Sequence, residues 1–198
     1  MRATLLAAAA IASTLLVQAP ALATPPPPPR TATNCDARVY VIDDIVCATP
    51  ALLALDRQVG EAFAATPDAA RPEHPRLVDA QTDWYWRSRQ CFKASDQPAC
   101  LTAAYEERLI VLAMLRSPPA AGEGMDGRCE GAPWGDRSVK LNRTGDGPLV
   151  VSDLVGVVLA VASPPNRAGW TGYMTLTSRK PPWKLKHYQG LVVSCAAR

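Results

Sequence analysis

Histidine is nearly absent from this 198-residue chain, which holds two, His74 and His187. They fall in stretches that read as different domains. A Ser-His-Asp site needs a histidine oriented by a carboxylate beside a nucleophile, and no spacing here supplies one, so both read as surface residues. No two cysteines stand at the short spacing of a zinc knuckle. There is no glycine-rich phosphate-binding motif and no dense basic run of the kind that nucleic acids select. Lys+Arg and Asp+Glu nearly balance, 21 against 18. These absences argue against an enzyme, a metal, a cofactor and a nucleic-acid partner.

What is present begins with Met1-Arg2, an apolar run over residues 5–17 and the triplet Ala21-Leu22-Ala23. A charged start, an apolar stretch and a small-residue site make the pattern of a secretory signal peptide, here residues 1–23. The run is too short for a comfortable membrane span. Thr24 rather than cysteine follows the expected cleavage near Ala23, so no lipid anchor is expected. The predicted product is periplasmic or secreted, with no membrane span in the mature chain. It holds six cysteines, Cys35, Cys47, Cys91, Cys100, Cys129 and Cys195. An even count in an exported chain reads as disulfides, each worth about 2–4 kcal/mol.

Pro25 to Pro29 lie in a segment, residues 24–34, that reads as a stiff polyproline II arm. Residues 35–116 have a helical texture. Thr49-Pro50 makes a helix start, a capping hydroxyl followed by a first-turn proline. Leu52, Leu55, Val59 and Phe63 repeat at three- and four-residue intervals as one apolar stripe, and Thr66-Pro67 ends it. On this pattern Leu55 is a core position and Asp56 a local cap or pair of lesser weight. Beyond a loop marked by Pro72 and Pro75, a second helix is predicted over about residues 76–91, with Leu77, Ala80, Trp84 and Cys91 inward. A third is predicted over about residues 98–115, burying Leu101, Tyr105, Leu109 and Leu112. Short loops make neighbouring helices antiparallel, which brings Cys47, Cys91 and Cys100 to one end of the bundle, within reach of Cys35. Two disulfides are expected there, and the three possible pairings stay open.

Residues 117–126, rich in Pro, Gly and Ala, break this periodicity and read as a linker. Residues 127–198 have a β texture. Val139 and Leu141 alternate with polar residues, residues 149–151 and 154–161 are apolar and β-branched, and residues 173–177, 183–188 and 191–195 complete the set. Turn signals separate them, including Thr144-Gly145-Asp146-Gly147 and Pro181-Pro182. Short strands at this spacing predict a small antiparallel barrel or sandwich. Cys129 and Cys195 bracket it and are expected to bond.

Charge divides unevenly between these parts. Residues 34–116 hold 9 Lys+Arg and 12 Asp+Glu, a net of −3, and residues 117–198 hold 10 and 6, a net of +4. Asp43 and Asp44 precede the first predicted helix, and Asp79 and Asp83 lie four apart on the second. They read as a solvated acidic face, an acid/base couple, or a surface that steers a basic partner. Trp84, Tyr85 and Trp86 are consecutive, and a helix turns about 100° per residue, so Trp84 fits the core while Tyr85 or Trp86 faces outward. Trp86 is therefore a candidate interface anchor or a lid on the bundle edge. Tyr173, Trp183, Trp170 and Tyr188 serve likewise on the β-rich part, or fill a barrel. Lys184 and Lys186 point the same way if their segment is a strand, either as a solvated face or as probes of a carboxylate-lined cleft.

Cys47, Leu52, Leu55-Asp56, Val59 and Phe63, then Gln81, Trp84 and Cys91, then Cys100-Leu101, Tyr105 and Arg108 follow one another in an order and spacing that resembles the LprI family of bacterial lysozyme inhibitors. The likeness covers residues 35–115. Ser88 stands where that family has arginine, with Arg87 and Arg89 on either side. Residues 127–198 are faintly similar to the MliC-type lysozyme inhibitor domain, a small barrel whose Ser-Gly-x-x-Tyr and Trp-x-Lys-Gly motifs place a serine and a lysine in the lysozyme cleft. Here Gly169-Trp170-Thr171-Gly172 precedes Tyr173 without the serine, and Trp183 is followed by Lys184-Leu185-Lys186, a lysine either side of the expected place.

The expectation is thus an α+β protein, a disulfide-tied antiparallel bundle of about three helices followed by a small antiparallel β-barrel or sandwich. The resemblance implies a secreted inhibitor whose partner is lysozyme or a related peptidoglycan hydrolase. The alternative is a non-inhibitory envelope module that holds peptidoglycan or a protein.

Overall fold

A computed structural model describes residues 31–67, 76–165 and 168–198. The expected signal peptide, the proline run, the loop prolines Pro72 and Pro75, and His74 lie outside the described residues. The fold is α+β, with helices first and an antiparallel, nearly closed barrel after them.

Four helices are described, one more than the periodicity predicts. α1 spans Val41–Ala48 and α2 spans Pro50–Ala64. Thr49, extended ahead of the proline, separates them, because the residue before a proline avoids the helical region. Cys47 therefore sits in the last turn of α1 instead of opening α2. α3 spans Gln81–Ser88 and runs into a 3-10 turn, Arg89–Lys93. α4 spans Gln97–Arg116, capped by the Asp96 carboxylate, which accepts from Ala99 N at 3.0 Å. Cys35 bonds to Cys47 and Cys91 to Cys100, which settles the pairing.

α4 is buried on two sides. Leu101, Tyr105 and Leu112 join the bundle core with Leu52, Val59 and Trp84. Val111 and Leu115 face the other way and meet Val78, Val150, Val158 and Val161. The apolar seam between the two halves is built on this second stripe. The α2 stripe is narrower than expected: Leu55 and Phe63 are only partly buried, while Asp56, at 3 % exposure, is inside.

The strands are β1 (Met125–Glu130), β2 (Val139–Arg143), β3 (Leu149–Ser152), β4 (Val158–Ala162), β5 (Met174–Leu176), β6 (Trp183–His187) and β7 (Val192–Ala197). β1 starts inside the segment expected as a linker. The sheet order is β4-β3-β2-β1-β7-β6-β5, with every neighbouring pair antiparallel. Ser163 bridges the ends, donating to Met174 O and accepting from Leu176 N at 3.0 and 2.7 Å. Cys129 and Cys195 are cross-strand partners in β1 and β7 and are bonded. Leu77, expected inside the second helix, instead pairs with β4, donating to Leu159 O at 2.7 Å. Helical and β-rich parts are therefore tied by a main-chain hydrogen bond as well as by side-chain contacts. Among the described residues no helix is long and apolar enough to cross a membrane.

Candidate functional site

The residues that carry the helical motif spend their polar groups on one another. Asp56 accepts from Tyr105 Oη at 2.8 Å, from Thr33 Oγ1 at 3.0 Å and from Thr33 N at 3.0 Å. Burial, then the Asp56 carboxylate, raises the Tyr105 pKa, so the phenol stays a donor. Gln81 Oε1 accepts from Arg108 Nε at 2.8 Å, and Trp84 Nε1 donates to Ala104 O at 3.2 Å. Arg108 also donates to Asp79 O at 2.9 Å, and burial lowers its pKa to about 10. Arg89, next to Ser88, is buried in the same network. It reaches Thr33 Oγ1 at 2.7 Å and Ser88 Oγ at 3.2 Å, and pairs with Asp43 at 3.2 Å. This motif is a scaffold for the bundle interior.

The four carboxylates expected to form an acidic surface do not share one. Asp43 is fully buried, accepting from Val39 N and Tyr40 N at 3.1 Å each, because it closes the start of α1. Asp79 is buried and paired with Arg87. Asp44 and Asp83 are exposed, and Asp44 pairs with Arg38 at 3.0 Å. Trp86 is 51 % exposed and meets Tyr40 edge-on at 5.1 Å, while Trp84 and Tyr85 are both buried. Trp183 lies in the barrel core at 4 % exposure and offers nothing to a partner, since position 183 falls on the inward side of β6.

Polar and aromatic groups from both halves converge at the seam. Arg87 donates to Asp79 Oδ2 from Nε at 2.9 Å and to Thr171 O at 3.0 Å, and its guanidinium faces the rings of Trp170, Tyr173 and Tyr188. Trp170 Nε1 donates to Glu107 Oε2. Burial raises the pKa of both Glu107 and Asp79, against the pull of nearby groups. The cavity among Asp79, Arg87, Glu107 and Arg108 is about 10 Å³, room for about one water and for no substrate. His187, expected at the surface, is buried against Tyr173 and Tyr188, both at 4.5 Å. Its Nδ1 accepts from Gln189 N at 3.3 Å, and burial lowers its pKa, so it packs as a neutral ring.

The outer side of β6 and β7 is one exposed face of the barrel. Lys184 and Lys186 are exposed on one side of β6, whose Trp183, Leu185 and His187 point inward. Lys186 stands between Thr175 of β5 and exposed Val192 of β7, and Lys184 opposite Ser194. Tyr188 follows on the same side, and half-buried Tyr173 is beside it at 5.6 Å between rings. Across the barrel, β3 and β4 are covered by α4. Two ladders hold β6, so the ammonium groups extend from a fixed base toward solvent. They can pair with carboxylates of a partner. Nothing in the sequence marks Arg87 and Glu107 as partners of these aromatic residues. The signal for the second face of α4 was the four-residue spacing of Ala103, Glu107, Val111 and Leu115. Among the described residues no cluster of His, Cys, Asp and Glu is suited to a metal. The chain matches no family model, no curated protein and no solved structure.

Proposed function

We propose that the protein is an exported inhibitor that binds a lysozyme-like hydrolase and blocks its cleft with the outer face of β6. The observation that carries this reading is the pair Lys184 and Lys186, exposed on one face of a strand held from both sides. Glycosidase clefts are lined by carboxylates, and an ammonium on a rigid base loses little freedom on entering one. Exposed Val192 and Tyr188 flank Lys186, and apolar neighbours exclude water from a central charged contact. The signal-like start, the three disulfides and the resemblance of residues 35–115 to the LprI family support the same reading. Blockage is steric, and no bond is made or broken. Steering by a helical acidic surface is not part of this reading, because Asp43 and Asp79 are buried.

The test is inhibition of a c-type lysozyme by purified residues 24–198, followed by binding kinetics of variants. Lys186→Ala is expected to raise the dissociation rate about tenfold or more, with Lys184→Ala weaker, and both proteins are expected to fold as wild type. Absence of inhibition at concentrations where a known inhibitor acts removes this reading. It leaves a non-inhibitory envelope module that holds peptidoglycan or a protein partner. One observation favours that second reading: residues 169–172 supply no serine ahead of Tyr173.

A further inference from the structure

We propose that the helical module is a clamp for the lysine-bearing face of the barrel, with Arg87 as its pin. The inference rests on the reading of that face as the binding surface and assigns a task to the half of the chain that does not bind.

Arg87 belongs to α3, yet all three rings around its guanidinium belong to the β-rich half. Trp170 lies at 4.8 Å, Tyr188 at 4.9 Å and Tyr173 at 5.4 Å from it. Asp79 holds the fork from the helical side and Thr171 O accepts from it on the barrel side, at 2.9 and 3.0 Å. The side chain is only 13 % exposed. Arginine alone among the cations offers a planar face for stacking together with a fork of fixed donors.

The place that is gripped matters. Tyr188 immediately follows β6, and its amide donates to Tyr173 O at 3.1 Å. Arg87 therefore holds both chains where the β5–β6 ladder ends, two residues from Lys186. Beyond it the turn into β7 closes with two 2.8 Å hydrogen bonds, His187 N to Leu191 O and Gly190 N to His187 O. Ladder ends open before ladder centres, so an unpinned hairpin would carry Lys186 on a fraying base. Arg87 touches no partner in this scheme. It is a positioning residue that acts through Tyr173 and Tyr188.

Amide hydrogen exchange on the free full chain tests this. In Arg87→Lys, which keeps the charge and the Asp79 partner but loses the stack and the fork, the amides of His187, Tyr188 and Gly190 are expected to exchange about tenfold faster. The β2–β3 ladder should stay within about twofold of wild type. Tyr188→Ala, which removes one exposed ring from the other side, should accelerate His187 and Gly190 in the same way. Unchanged hairpin rates in both variants overturn the proposal. An equal rise in the β2–β3 ladder also overturns it, because Arg87 would then be a general stabiliser. The readout needs no partner. A pinned hairpin in a chain that inhibits nothing sinks the inhibitor reading alone, and an unpinned hairpin in an inhibitor sinks the clamp alone.

Discussion

Asp56 is held by three hydrogen bonds and stands at the meeting point of α2, α4 and the lead-in segment. Its removal would leave the buried Tyr105 hydroxyl and the partly buried Thr33 amide and hydroxyl without their acceptor. Each donor left unpaired inside costs about 1–3 kcal/mol. Leu55, partly buried at the rim of the core, loses three partly buried carbons when cut to alanine, which costs about 1–2 kcal/mol. Asp56→Ala is therefore expected to lower the melting temperature well beyond Leu55→Ala. Equal shifts in a thermal melt would show that the carboxylate is not the keystone. Asp56→Asn should fall between them, since an amide can accept from Tyr105 but carries no charge for the Arg89 neighbourhood.

At the scale of elements, α4 couples a titrating group to the loop of residues 168–172. Burial raises the Glu107 carboxyl above its ordinary value, opposed by the hydrogen bond from Trp170 and by Arg87. The folded chain thus holds that proton more tightly than the unfolded chain. Stability from this group is gained as pH falls through the folded value and lost as pH rises through it. Glu107→Gln keeps an acceptor for Trp170 Nε1 and cannot ionise. Its melting temperature is expected to exceed wild type at pH 7.5, and the difference to shrink as pH falls toward 4.5. A difference that widens with acid would refute the assignment. The bond leaves little slack: a Cβ at Gly172 would lie 2.5 Å from Glu107 Oε1. Much of this architecture was legible. Periodicity located α2 and α4, the turn residues at 144–147 located the β2–β3 hairpin, and the cysteines bracketing the β-rich part located the β1–β7 bond. The outward lysines of β6 followed from alternation. What failed was any inference that needed two faces of one helix. On α4 the stripe of Leu101, Tyr105 and Leu112 dominates the pattern, and the weaker spacing of Ala103, Val111 and Leu115 does not say what that second side meets. The acidic residues looked surface-bound because sequence shows a charge but not the partner that lets it go inside.

For the whole molecule, the seam joins two textures through an apolar cluster and a main-chain hydrogen bond. Val111 sits among Val78, Val150, Val158 and Val161, and Val111→Asp would bury an unpaired carboxylate there, a cost of several kcal/mol. Helix dichroism and tryptophan fluorescence are expected to melt together in wild type, and together at a lower temperature in the variant. Two separated transitions in wild type would show that the halves unfold independently. The strand order carries one more consequence. β7 follows every other strand in sequence but lies in the middle of the sheet, between β1 and β6. Until residues 192–197 are available, β1 and β6 each lack a neighbour and Cys129 has no partner across 66 residues. Such long-range pairing is slow to form. A chain cut short before residue 192 would therefore keep two open strand edges and an unpaired thiol at Cys129, so the last six-residue strand acts as the keystone that closes the barrel.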